Sequence, residues 1–490
     1  MAAEEPLLMT PVLKPPLLTP QVTCIRNAEW IIGWDASAGS HIYLRNGDVA
    51  WSDGRLVQVG GTYPGPVDQE IPGTRRLVMP GLINIHCHPT QTPIFRGFVE
   101  EFGNPRLFYS SRHLFRQSFL QDQAAQLVSA RYGLAELLSN GTTSIVDLSH
   151  AYPGWLPLLA ESGLRAWAAP MFRSARWWTD LGHEIKYDWA PDLGREAFAE
   201  ACEVMDAAEG HPCGRLSALV SPAQVDTCTL DLLTSAADLA RSRGRPLHTH
   251  GAQSYPEFNG MVRRNDMTPI EWLHRIGFLG PQTIIGHAVF TDEHPWLHWP
   301  KRNDLRLLAE TGSSVAHCPT VFARDASMMH HLGAYMDAGV NIAIGTDTHP
   351  QNLFEEMRIA ETLARCAAGP EHTSSTARVF HAATIGAAKL LGRDDIGRLA
   401  AGARADLVVC DLDEPNMIPM RDPLRNLLYS SGGRSVRDVW VDGRQVVAER
   451  RVLTIDWEDA AAALQAAQDR TAAGVAQLDR YSPLSLPLRH

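Results

Sequence analysis

Short apolar runs that end on a histidine or an aspartate, separated by helical patterns, constrain this chain more than any other feature. Leu82-Ile83-Asn84-Ile85 reads as a buried strand that leads into His86 and His88. A helical pattern over residues 121–139 precedes a strand over 143–148, one over 229–242 precedes 246–250, and one over 269–276 precedes 283–287. Strand-like runs over 314–317 and 342–347 follow. Repeated β–α units with buried strands imply a parallel sheet with helices outside it. About eight such units can be counted, which favours a closed barrel over an open sheet. No GxGxxG follows the first strand, which also counts against a dinucleotide fold.

The flanks read differently. Between residues 22 and 76, Asn46-Gly47, Asp53-Gly54 and Gly60-Gly61 punctuate short strands as hairpin turns do, and Asp442-Gly443 does the same near the other end. The expected fold is therefore α/β: a (β/α)8 TIM-like barrel over residues 80–395, with a small β-sandwich built from 21–79 and 396–455. A Pro-rich extension over 1–20 and a C-terminal helix and tail over 456–490 complete the division.

The 490 residues carry a formal charge of −11 with no basic stripe, which argues against a nucleic-acid partner. No apolar run reaches the ~18 residues of a membrane span, and Glu4 and Glu5 stand where a secretory signal would carry cations. The 8 cysteines are scattered singly, as in a reduced, cytoplasmic protein.

Chemistry is concentrated at the strand ends. Strand side chains alternate with a period of two, so His86 and His88 project to the same side, with Cys87 turned away into packing. His248 and His250 end a second run, His287 a third and Asp347 a fourth. Barrel enzymes keep their sites at this edge, and imidazoles converging there with a carboxylate form a shell for Zn²⁺ or another borderline divalent metal.

These motifs resemble the amidohydrolase superfamily. MPGLINIHCH, GTTSIVDLSH, HTHGAQS, IIGHAVFTDEH, SVAHCP and IGTDT stand in the family's order, and the segment ending in VDGR is similar to its closing strands. The subgroup most resembled contains cytosine- and guanine-type deaminases, s-triazine hydrolases, and phenylurea and thiocarbamate hydrolases. The resemblance implies one divalent metal, with Zn²⁺ expected first and Fe²⁺, Mn²⁺ or Co²⁺ also accommodated, held by His86, His88, His250 and Asp347. It implies that Asp347 accepts a proton from the attacking water and that His287 polarises the substrate or contacts the water. His248 is left as a core histidine. It further implies a small-molecule substrate and a homodimer or larger assembly.

One position departs from the pattern. Deaminating members carry a Glu three residues after the strand-five His, where this chain has Gln253. An amide donates and accepts hydrogen bonds but cannot shuttle a proton. Glu257 follows Pro256 and reads as a surface residue. The expectation is therefore hydrolysis of a C–N bond in an amide, urea or carbamate of an aromatic or apolar molecule. The alternatives are deamination or dechlorination of a nitrogen heterocycle, and an inactive metal-binding homologue. Gln91, His150, Gln253 and His317 are candidate substrate contacts, and Trp177, Trp178, Trp189, Trp296 and Trp299 candidate wall residues.

Overall fold

The computed structural model describes residues 21–91, 93–97, 123–179, 184–330, 332–371, 373–473 and 486. The Pro-rich extension over 1–20 and most of the tail beyond 473 lie outside them.

Eight parallel strands form the centre. In chain order they are Leu82–Cys87, Thr142–Ser149, Arg165–Phe172, Leu216–Ala218 continued by Ser221–Pro222, Leu247–Gly251, Thr283–His287, Ser314–His317 and Asn341–Ile344. They are called strands one to eight below. One to four pair in sequence, as do five to eight. Two seams join the halves: Val220 bridges Leu247 and Gln224 bridges His250 on one side, and Cys87 bridges Asp347 on the other. Backbone bonds from Asp347 N–H to His86 C=O (2.8 Å) and from His88 N–H to Asp347 C=O (3.1 Å) close the second seam. The ring is thus complete, and one of its closing contacts runs through three of the expected metal ligands.

Alternation sorts the strand residues into two cores. Val146, Leu148, Trp167, Ala169, Ile284, Ala316 and Ala343 form an inner cluster with Ile83 and Ile85. Their neighbours Ile145, Ala166, Ala168, Ile285, Val315 and Ile342 pack outward against the helices. Strand one breaks this rhythm. Its register against strand two shifts between Asn84 and Cys87, and Cys87 belongs to the outer cluster. The inward face therefore passes from odd to even positions just before His86, the re-aiming that bulges perform beside active sites.

Strand eight ends at Ile344, earlier than the sequence suggests, and Asp347 lies beyond it with a left-handed φ of 55°. The helices fall close to their expected places. Leu230–Arg243 begins behind Thr229, whose side chain caps the Leu232 N–H. Pro269–Arg275 begins with a full capping box from Thr268 and Glu271.

Both flanks contribute to one nine-stranded sheet, joined where Arg76–Pro80 pairs antiparallel with Leu407–Asp411. Trp51 and Trp440 lie on strands well apart in the sheet order, yet their rings meet at 5.5 Å. The expected sandwich is thus a single sheet folded over its own core of Ile31, Val49, Leu56, Val78 and Leu407. The helix Trp457–Ala473 docks on Gln123–Ser139 through Trp457 and Tyr132, 5.4 Å apart. Among the described residues no helix is long and apolar enough to cross a membrane.

A buried ion pair ties the sheet to the barrel. Arg165, at the start of strand three, grips Asp406 with two bonds of 3.0 and 3.1 Å and reaches Asp442 at 3.2 Å. The Arg165 and Asp406 side chains are 3% and 1% exposed, so loss of either partner strands a buried charge. Replacing Asp406 with Ala is expected to destabilise the protein by about 3–5 kcal/mol, read as a lower midpoint of urea unfolding. An unchanged midpoint would show that the junction does not depend on this pair.

Candidate metal centre

Strands one, five and six deliver imidazoles, and the segment after strand eight a carboxylate, to one point at the C-terminal mouth of the barrel. His86 Nε2 and His88 Nε2 lie 3.4 and 3.1 Å from Asp347 Oδ1. His250 Nε2 lies 3.4 Å from His88 Nε2. Ring nitrogens of His86, His250 and His287 also fall within 4.8 Å of one another, as do the ligand atoms of His86, His88 and Asp347. The structure therefore brings together all five residues expected at the centre.

The hydrogen bonds behind the rings fix which nitrogens face inward. His88 Nδ1 lies 2.6 Å from Leu148 C=O, and His250 Nδ1 lies 2.6 Å from Ala223 C=O. A carbonyl only accepts, so both Nδ1 atoms carry hydrogen, and each neutral ring turns a lone pair inward at Nε2. Burial pushes His86 below the usual histidine range, and His250 and His287 well below it. Ring nitrogens and a carboxylate oxygen thus crowd one another in a buried site. A proton could reconcile one such contact; a divalent cation reconciles them all. Ligand atoms ~2.1 Å from a tetrahedral ion lie ~3.4 Å apart, close to the 3.1–3.4 Å found here. The residues fit a metal.

Support extends behind the ligands. His248 Nε2 lies 3.0 Å from His86 Nδ1, so the histidine read as core holds a ligand ring in orientation. Asn84 Nδ2 donates to Thr346 Oγ1 (2.8 Å) and Thr346 N–H donates to Asn84 Oδ1 (3.1 Å), anchoring the residue before Asp347. His287 has a φ of 100°, a region costly for a side chain with a Cβ and tolerated mainly at functional sites. Glycines make the room: a Cβ on Gly286 would stand 2.8 Å from His248 Nε2, and one on Gly345 would stand 2.6 Å from His86 Cβ.

The remaining candidates divide. Gln91, Gln253 and His317 are buried, and burial pushes His317 down to about 4. Gln253 Nε2 and His317 Nδ1 have no hydrogen-bond partner. His150 is exposed and spends Nδ1 on Met171 C=O at 2.9 Å. Trp178 and Trp189 are 40% and 42% exposed, while Trp177 is half-buried and bonds to Asp226. Glu257 corrects the sequence reading. It is fully buried, and its Oε1 and Oε2 accept from Ala252 N–H (2.8 Å) and Gln253 N–H (3.0 Å). Pro256 does not break the helix there, because it occupies the first turn of Tyr255–Asn265 behind the Ser254 cap.

Residues 77–446 match the Amidohydrolase family. The chain belongs to this family. Among curated proteins it is 31% identical over 408 residues to a 5-methylthioadenosine/S-adenosylhomocysteine deaminase of Natronomonas pharaonis, covering 82% of this chain and 88% of that protein. It is 28% identical over 438 residues to a 5'-deoxyadenosine deaminase of Methanosarcina acetivorans, covering 89% and 94%. Among solved structures it is similar to an adenosine deaminase from Xanthomonas campestris with bound zinc, with TM-score 0.78, 24% identity and coverage of 92% and 98%. A triazine hydrolase from Arthobacter aurescens superposes with TM-score 0.77 at 23% identity, covering 91% and 99%. The chain is a metal-dependent amidohydrolase. Because Gly286 faces two imidazoles, Gly286→Ala is expected to weaken metal affinity by about 10–100-fold, measured by competition with a chelator. Unchanged affinity would mean that the rings are not confined by strand six.

Proposed function

We propose that this amidohydrolase is a deaminase that hydrolyses an exocyclic amine from a nitrogen heterocycle of the adenosine type. The observation that carries this reading is that relatives matching over 80–89% of the chain are named deaminases of 5'-substituted adenosines. It replaces hydrolysis at an amide, urea or carbamate carbonyl as the preferred reaction.

His86, His88, His250 and Asp347 would hold the metal, and zinc suits three imidazoles and a carboxylate. When bound, such an ion acts as a Lewis acid and lowers the pKa of water toward ~7. Asp347, with Oδ1 turned to His86 and His88, offers Oδ2 to take the proton from the attacking water. His287, held neutral by burial beside Phe322 at 4.8 Å, would hydrogen-bond the attacking water or the amino group on the carbon under attack. Gln253 presents a buried amide with its Nε2 unpaired, suited to a ring nitrogen or a carbonyl oxygen of the product. His317 and Gln91, both buried, would supply further polar contacts to the substrate. Overall, water and the amino-heterocycle give the oxo-heterocycle and ammonia, with the proton taken by Asp347 returned to the departing nitrogen.

Gln253 favours a second reading. Without an acidic group at that position, attack on a carbonyl centre needs less proton delivery than attack on an aromatic ring. The two readings part on product. Incubation with adenosine, 5'-deoxyadenosine and 5-methylthioadenosine is expected to release ammonia, and aryl ureas and amides are expected to be inert. Asp347→Asn should lower turnover by about 10²–10⁴-fold with the fold intact. Gln253→Glu should raise kcat for the amino-heterocycle, by up to about 10²-fold. Release of an organic amine from a urea, with no gain from Gln253→Glu, would favour the second reading. No turnover of any compound by fully metallated protein would mark an inactive homologue.

A further inference from the structure

Three loops of the catalytic face meet behind Gln253 on two carboxyl groups that the metal centre leaves unused. Asp226 follows Val225, whose N–H binds His250 C=O at 2.9 Å. Its Oδ2 accepts from Trp177 Nε1 and from the Tyr187 hydroxyl, both at 2.8 Å. Those two rings belong to a hairpin of Ala175–Trp178 and Lys186–Trp189, in the segment after strand three. Arg264 lies over the Tyr187 ring at 4.6 Å but donates to the backbone carbonyl of Asp226, at 3.0 Å. Glu257 comes from the first turn of the helix Tyr255–Asn265 that follows strand five and, like Asp226, is 0% exposed.

Hydrogen-bond accounting locates a proton. Of the four carboxyl oxygens, Asp226 Oδ2, Glu257 Oε1 and Glu257 Oε2 all accept from N–H or O–H donors. Asp226 Oδ1 is buried with no partner. Two ionised carboxylates sealed from water repel strongly. Burial pushes Asp226 up, and burial with the field of Asp226 pushes Glu257 well above the carboxylate range.

We propose that Asp226 and Glu257 hold one proton between them, carried on Asp226 Oδ1, and act as a positioning pair for Gln253. Glu257 fixes the amides of Ala252 and Gln253, with Ala252 held in the left-handed region at φ 51°. Asp226 fastens the aromatic hairpin to the same point. The Gln253 amide is thereby set relative to both His250 and the Trp177 wall. The substrate role of Gln253 rests on the function proposed above; the pairing itself does not.

The test compares two amide substitutions in the full-length, metal-loaded protein. Asp226→Asn supplies an N–H where the proton sits and keeps a carbonyl for Trp177 and Tyr187, so backbone exchange over residues 252–253 and KM should stay near wild type. The two backbone N–H groups bond to different oxygens of Glu257, and Glu257→Gln turns one of those oxygens into an NH₂ that only donates, so exchange at these amides should quicken by about 10–100-fold. KM should then rise more than kcat falls, and that rise should vanish in a Gln253→Ala background. Exchange, followed by mass spectrometry, needs no substrate, so it fails or succeeds independently of the proposed reaction. Equal damage from both substitutions, unaltered exchange in Glu257→Gln, or a KM effect additive with Gln253→Ala would overturn the proposal. Should Glu257→Gln fail to fold, Asp226→Asn decides alone: wild-type exchange supports the shared proton and faster exchange refutes it.

Discussion

Two imidazole lone pairs face each other at 3.4 Å, His88 Nε2 against His250 Nε2, beside a carboxylate oxygen of Asp347. A proton could reconcile that one contact, but a divalent cation reconciles it together with those made by Asp347. The surrounding architecture holds the groups in this arrangement. Carbonyls of Leu148 and Ala223 fix the tautomers, His248 steadies the ring of His86, and glycines on strands six and eight leave space for the rings. Closure of the barrel is part of the same device, since the strand-one to strand-eight seam is made by the backbones of His86, His88 and Asp347. The residues that close the ring are therefore the ones whose side chains make up much of the ligand set.

Much of this is legible in the sequence because burial and periodicity leave strong marks. Apolar runs that end on His250 and His287 reveal both the strands and their functional ends. Glycine turns at Asp53-Gly54 and Asp442-Gly443 mark hairpins of the flanking sheet, whereas Asn46-Gly47 corrects the sequence reading: it lies inside the strand Ser40–Ser52, where Gly47 pairs with Ala28 beside a register shift in the partner strand. Local rules blur where the backbone leaves regular geometry. Simple alternation puts His86 in phase with Asn84, yet a register shift between Asn84 and Cys87 turns the two histidines inward after Ile83 and Ile85. Asp347 lies past its strand in a left-handed conformation that no periodicity encodes.

Glu257 illustrates a different limit. Its signature was present, since Ser254 and Glu257 have capping-box spacing and proline is at home in a first helical turn. What the sequence does not carry is its depth. That follows from Asp226, the Trp177–Tyr187 hairpin and the loop after strand five, segments brought together only by the closed ring. The substitution at Gln253 is likewise visible in sequence, but its consequence depends on what holds the amide. Similarity to adenosine-type deaminases and the missing acidic side chain pull in opposite directions, and in the proposed reaction Asp347 and His287 would be the groups left to manage protons.

The central claim is that His86, His88, His250 and Asp347 hold a divalent ion. Metal analysis of the purified protein alongside His250→Ala tests it most directly. About one equivalent of a borderline divalent metal in the wild type, and a large loss in the variant with the fold retained, is the predicted result. Metal-free wild-type protein that remains fully active, or a His250→Ala variant that keeps its full complement of metal, would contradict the account.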